Sequence, residues 1–140
     1  MTTVDRFLFA DDSRTTLSTG LSGTRYANAA MASPVAGYVG GGKEGGTPQS
    51  NVDRFLFSND SRTALSTGLS AANFALGAMA SSVAGYFCGG IVSGDDVDTV
   101  DRFLFSDDSR TTLGTGLSTD GYYCAGFASS VAGYVVLGGT

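Results

Sequence analysis

A chain of 140 residues that is 42% hydrophobic and 15% charged, with a formal net charge of −5, has the make-up of a folded protein and excludes intrinsic disorder. Its 21 glycines follow no G-X-Y period and so mark turns, which points to an all-β protein. The absence of histidine removes the commonest proton-transfer group and metal ligand, and with it any Ser-His-Asp system.

The first predicted element opens at Val4 with VDRFLFADDSRTTLSTGLS. Nearly the same words return at Val52 and again at Val100, so one unit spans 48 residues. A second block, ASPVAGYVGGG at 32–42, returns as ASSVAGYFCGG at 80–90 and ASSVAGYVVLGG at 128–139. Residues 1–140 therefore read as a single repeat array with units 4–51, 52–99 and 100–140, whose neighbours bury their faces against one another. Within a unit, VDRFLF (52–57) is β-branched and aromatic and predicts a strand. It stops at SNDS, a run of side chains that hydrogen-bond their own backbone. RTALST, ending at Gly68, predicts a more polar outer strand. NFALGAMA (73–80) predicts a strand of small residues crowded near an axis, and 83–88 predicts an apolar strand ending in Gly89 and Gly90. Helical periodicity is sustained nowhere.

Each unit carries a tyrosine shortly before a double glycine: Tyr38, Gly41 and Gly42, then Tyr86, Gly89 and Gly90, then Tyr134, Gly138 and Gly139. Phe7, Phe55 and Phe103 hold the aromatic place in the VDRF strand. This pattern resembles the kelch repeat, in which one strand ends in a double glycine and the next carries an aromatic. Two departures stand out: no tryptophan is present, with Leu17, Leu65 and Leu113 near the family's Trp position, and Leu137 reads as an extra residue before the last glycines. The resemblance implies a β-propeller of four-stranded blades, strands a to d from the axis outwards, of a kind also seen in bacterial and phage structural proteins.

So divided, the chain begins with strands c and d of one blade and ends with strands a and b of another, leaving full blades at 25–69 and 73–117 between two halves. A ring closed by one chain would have three blades, and propellers need about four to eight. Free halves would leave unpaired edges with apolar faces, which soluble proteins avoid. The expected repair is strand exchange: a homodimer closing a six-bladed ring, or a polymer formed by the same exchange.

The repeated charges, such as Asp53, Arg54, Asp60 and Arg62, cancel within each unit and are expected to pair between strands or blades. No basic stripe remains for a phosphate backbone, so no nucleic acid is expected as a partner. The charge-free run 63–94 is too polar, and its unit-one counterpart too charged, for a membrane span. Asp11-Asp12 and Asp107-Asp108 fall in the c–d turn and read as turn formers. Asp95, Asp96 and Asp98 form an acidic loop without calcium-loop spacing, read as a solvated loop with weak Ca²⁺ binding as the alternative, so no cofactor is expected. Cys88 and Cys124 fall at different places in the repeat and read as small buried hydrophobes.

The copies diverge most at 23–25, 71–73 and 119–121 and in the linkers 43–51 and 91–99, which a four-stranded antiparallel blade brings to one side. The candidate binding face is Arg25, Lys43, Glu44, Asn73, Asp95, Asp96, Asp98 and Asp120. The expectation is a non-enzymatic structural or interaction protein, a self-assembling kelch-like propeller that presents this face to a protein or glycan ligand. The alternative is a lectin-like propeller of a phage tail or adhesin, disfavoured by the lack of aromatics in both linkers. With the first repeat opening at Val4, no signal peptide is expected, which leaves a cytoplasmic or virion-associated location.

Overall fold

The computed structural model describes residues 2–140, and among them every regular element is a β-strand. The N-terminal end is a two-stranded antiparallel sheet, β1 (Asp5–Leu8) with β2 (Ser13–Thr16). A hairpin follows, β3 (Ala29–Ala32) and β4 (Ala36–Gly40), then a miniature hairpin, β5 (Lys43–Glu44) and β6 (Thr47–Pro48). Next, β7 (Val52–Leu56) and β8 (Arg62–Ala64) complete a four-stranded sheet in the order β3-β4-β7-β8. One period later the plan repeats. β9 (Gly77–Ala80), β10 (Ala84–Cys88), β13 (Val100–Leu104) and β14 (Arg110–Thr112) form the second four-stranded sheet, with β11 (Ile91–Val92) and β12 (Asp95–Asp96) as its miniature hairpin. The C-terminal end is again two-stranded, β15 (Ala125–Ala128) with β16 (Gly133–Val136).

The register is copied along with the sequence. Gly37 faces Phe55 and Gly85 faces Phe103, so each aromatic side chain has a glycine as its cross-strand neighbour. Phe7 faces Arg14 in the first sheet as Phe55 faces Arg62, and Phe127 faces Tyr134 in the last as Met31 faces Tyr38. The terminal sheets thus reproduce the outer and the inner half of the four-stranded sheets. Among the described residues they do not pair with each other, and no sheet closes on itself.

Small residues let the inner strands meet. β9 lies against β3 on one side and β15 on the other, and a Cβ on Gly126 would land on the carbonyl oxygen of Ala78. Between the two four-stranded sheets lies the core, with Met31, Tyr38, Val52, Leu76, Phe87 and Phe103. Phe87 meets Phe103 edge to face at 5.7 Å, a favoured arrangement for the two ring quadrupoles. Burial, unlike register, is not copied: Phe103 is 0% exposed and Phe7, at the same place in its unit, is 56% exposed. Identical residues have lost their neighbours at the ends of the array.

Two expectations change. The strand expected over 73–80 begins only at Gly77, because Ala75 takes a left-handed φ of 58° and turns the chain after Phe74 has bridged to Ile91. The linkers 43–51 and 91–99, which lie outside the four strands expected per unit, each carry a hairpin, closed by Gly45-Gly46 and Ser93-Gly94 with φ between 56° and 100°. Among the described residues no helix is long and apolar enough to cross a membrane.

Candidate functional site

The antiparallel order sends the β4–β7 and β8–β9 connections to the same end of the sheet, where backbone bonds knit them together. Gly42 N–H donates to Asn73 C=O (2.8 Å), Gln49 N–H to Gly42 C=O (2.8 Å) and Asn73 N–H to Gln49 C=O (3.1 Å). Glycine is required where the hub takes its left-handed form: Gly41 and Gly42 have φ of 66° and 94°, and a Cβ on Gly41 would meet the Asn73 carbonyl oxygen at 2.6 Å. Gly89 and Gly90 repeat the device, with Gly90 donating to Gly121 C=O at 2.8 Å. In unit three the bridge Tyr122 to Gly139 matches Tyr26 to Lys43 and Phe74 to Ile91, so the spacing is unbroken. Leu137 is therefore not an insertion. It stands at the first glycine's place, Gly138 at the second, and Gly139 where Lys43 and Ile91 stand.

Of the eight residues expected on the binding face, Arg25 and Asn73 are corrected to interior positions. The Arg25 guanidinium is buried and donates to Asp53 Oδ2 (2.5 Å) and to the carbonyls of Asn51 (2.8 Å) and Gly41 (3.2 Å). A buried cation is tolerated only with such partners, and Asp53, itself fully buried, also accepts from the Ser22 backbone and hydroxyl. Asn73 takes the same place one period later and donates instead to Gly89 C=O (2.8 Å).

The other six lie on the connections between the longer strands. Lys43 places its ammonium 3.7 Å from the Phe74 ring centroid, a cation–π contact. Glu44 accepts from Thr24 N–H (3.2 Å), tying the miniature hairpin to the neighbouring connection. Asp95 and Asp96 lie on β12, Asp98 accepts the Leu117 N–H through its carbonyl (2.8 Å), and Asp120 is exposed. No three Asp, Glu or Cys side chains among the described residues come together as a metal site, and Asp98 lies beyond the strand that carries Asp95 and Asp96.

A set of aromatics on this side escaped the sequence reading. Tyr26, Phe74 and Tyr122 recur one period apart, and each bridges to the residue that follows the glycine hub, so all three border the loops. Tyr26 is exposed, and Tyr122 meets Tyr123, also exposed, edge to face at 5.3 Å. Their signal in the sequence is the period itself, since each directly follows a residue of the divergent stretches, Arg25, Asn73 or Gly121.

On the opposite side the paired carboxylates divide their work. Asp11 and Asp107 accept from the N–H of Ser13 and Ser109 (3.0 Å each), with Asn59 doing the same for Ser61 (3.1 Å). The hydrogen bonds from Ser13 and Ser109 hold the Asp11 and Asp107 carboxyls below their ordinary range. The second aspartate takes a left-handed φ, 56° at Asp60 and 58° at Asp108, and pairs with the preceding sheet's arginine: Asp60 with Arg6 (2.5 Å) and Asp108 with Arg54. Burial and the hydrogen bond to Asp108 push the Tyr38 hydroxyl up to about 12. Cys88 is fully buried and Cys124 half-buried, and both are free thiols. Burial pushes Cys88 up to about 12 and raises Cys124 as well, so neither is primed as a nucleophile.

The chain is thus an all-β protein of small antiparallel sheets with one knitted loop side. Comparison with protein-family models and with curated protein sequences finds no match.

Proposed function

We propose that this chain is a non-enzymatic structural or interaction protein, a kelch-like β-propeller array that assembles with copies of itself and offers its loop side to a partner. The observation that carries this reading is the pair of terminal sheets, whose registers equal the outer and inner halves of the four-stranded ones. β1 of one copy laid on β16 of another would make a four-stranded sheet like the internal two, and two copies would supply six blades, a common ring size. Light scattering coupled to size-exclusion chromatography of the 140-residue chain is expected to give twice the monomer mass of 14.2 kDa. A stable monomer at micromolar concentration sinks the reading, and a continuous rise in mass with concentration selects the open polymer over the closed dimer.

Glycan binding at the loop side is the second reading, and one observation favours it. Tyr26 exposes its ring beside the β5–β6 hairpin, where Glu44 offers a carboxylate acceptor. Aromatic faces with adjacent polar groups suit sugar rings. A glycan array screened with the wild type and with Tyr26→Ala separates the readings: no binding by either leaves the structural reading alone, and binding that depends on Tyr26 supports the lectin.

A further inference from the structure

The internal seam between the two four-stranded sheets is a template for the two ends of the array. From the first sheet, the Tyr38 hydroxyl donates to Asp108 Oδ1 (2.9 Å), the Arg54 guanidinium pairs with Asp108 Oδ2, and the Tyr38 ring stacks on Phe105 with centroids 5.1 Å apart. Tyr38 and Arg54 are cross-strand neighbours, so together they hold one carboxylate of the next sheet. This clasp is built from repeated residues and, among the described residues, is whole at that seam alone.

One period earlier it lacks its tyrosine. Arg6 pairs with Asp60, but among the described residues no tyrosine bonds to them. A cleft of about 240 Å³ opens there, lined by Val4, Arg6, Leu17, Phe55, Phe57 and Asp60 among others. Arg6, Phe57 and Asp60 are the period equivalents of Arg54, Phe105 and Asp108, so the cleft is the place a tyrosine ring would occupy, and Phe57 lies exposed beside it.

One period later it lacks its carboxylate. Tyr86 and Arg102 face each other across β10 and β13, and Arg102 makes no ion pair among the described residues, unlike Arg54. The equivalents of Asp108 and Phe105 that would answer them are Asp12 and Phe9, at the far end of the chain. Asp12 holds the same left-handed φ of 56° and has no ion pair among the described residues, and Phe9 is 95% exposed. The missing tyrosine is likewise present, as half-exposed Tyr134 on the free edge of β16.

We infer that a second copy of this chain fills both places, an inference that rests on the self-assembly reading above. Arg102 and Tyr86 of one copy clasp the partner's Asp12, with Phe9 stacked on Tyr86. Tyr134 enters the partner's cleft, donates to Asp60 and lies on Phe57. β16 then pairs with β1 so that Gly133 faces Phe7 and Tyr134 faces Arg6, the register of the internal sheets. The chemistry commits to a copy rather than an unrelated ligand, because one end of the array carries the cation and its tyrosine and the other carries the carboxylate and its phenylalanine.

Sedimentation of the full chain over a dilution series tests this. Asp12→Arg and Arg102→Asp each set like charges across the seam, and each is expected to raise the dissociation constant at least roughly 100-fold. An equimolar mixture of the two is expected to reassemble near wild-type strength, because each seam then joins one cation to one carboxylate again. Tyr134→Phe, too mild to unfold a sheet, is expected to weaken assembly by about tenfold through the lost hydroxyl. A wild type that assembles while all three variants assemble equally well overturns the clasp and leaves self-assembly standing. Mixing that fails to rescue overturns the pairing of Asp12 with Arg102, and a wild type that stays monomeric overturns both readings.

Discussion

Arg25 and Asn73 occupy one place in successive units, and the contrast shows what a single side chain does here. Asp53 and Asp101 are both buried, and each accepts from a serine backbone N–H and hydroxyl, Ser22 or Ser70. Only Asp53 also receives a fully buried guanidinium, while Asp101 relies on Thr112 (2.6 Å) and a more distant Arg110 (3.5 Å). Removing one partner of a buried pair leaves a charge without compensation, at a cost of about 3–5 kcal/mol, whereas replacing both is close to neutral. Arg25→Met is therefore expected to lower stability by about that amount, and Arg25→Met with Asp53→Asn to recover most of it, read from urea unfolding midpoints. A single variant as stable as the wild type would contradict the burial of this pair. None of this is visible in the sequence, where an arginine in a variable stretch reads as surface. Its burial is decided by Asp53, which lies far along the chain and opposite in space.

At the scale of strands, what could be read in advance follows from whether the cause is local. The period, the four strands of a unit and the turn role of the aspartate pairs rest on β-propensity and short-range hydrogen bonding, which a sequence displays directly. The miniature hairpins are not legible although Gly45-Gly46 and Ser93-Gly94 are two-residue turn signals, because flanking strands of two residues carry no alternation to read. Matching glycine to glycine makes Leu137 an insertion, whereas the bridge at Gly139 follows spacing instead of identity. That small residues crowd the inner strand is legible, but which residues meet is not, since it needs the approach of β15 to β9. A Cβ on Gly126 would strike the backbone of Ala78, which cannot rotate away, whereas Gly114 has nothing within 4 Å. Gly126→Ala is expected to cost about 2–4 kcal/mol and Gly114→Ala under about 0.5 kcal/mol. Equal thermal midpoints for the two would refute the close approach of β15 to β9.

For the whole molecule, the decisive feature is that each interaction complete at the internal seam is half made at both ends. Burial follows position in the array: Phe55 and Phe103 are buried and Phe7 is exposed, Tyr38 is buried and Tyr134 is half exposed. If a second copy supplies the missing halves, part of the stability resides in association, so the unfolding temperature must rise with protein concentration. A covalent tandem removes that dependence. Two copies joined by a linker of about four residues keep the 48-residue spacing from Val100 to the second copy's Val4 and hold one seam together permanently. Its own ends then meet within one molecule, so the tandem is expected to sediment as a single species and to melt at a temperature independent of concentration. The single copy is expected to melt several degrees lower at micromolar concentration and to approach the tandem as concentration increases. A single copy whose melting ignores concentration while matching the tandem would show that the terminal sheets stand unaided. A tandem that keeps growing in mass would show that the seams join copies into a filament, because the angle between neighbouring sheets does not close a ring of six.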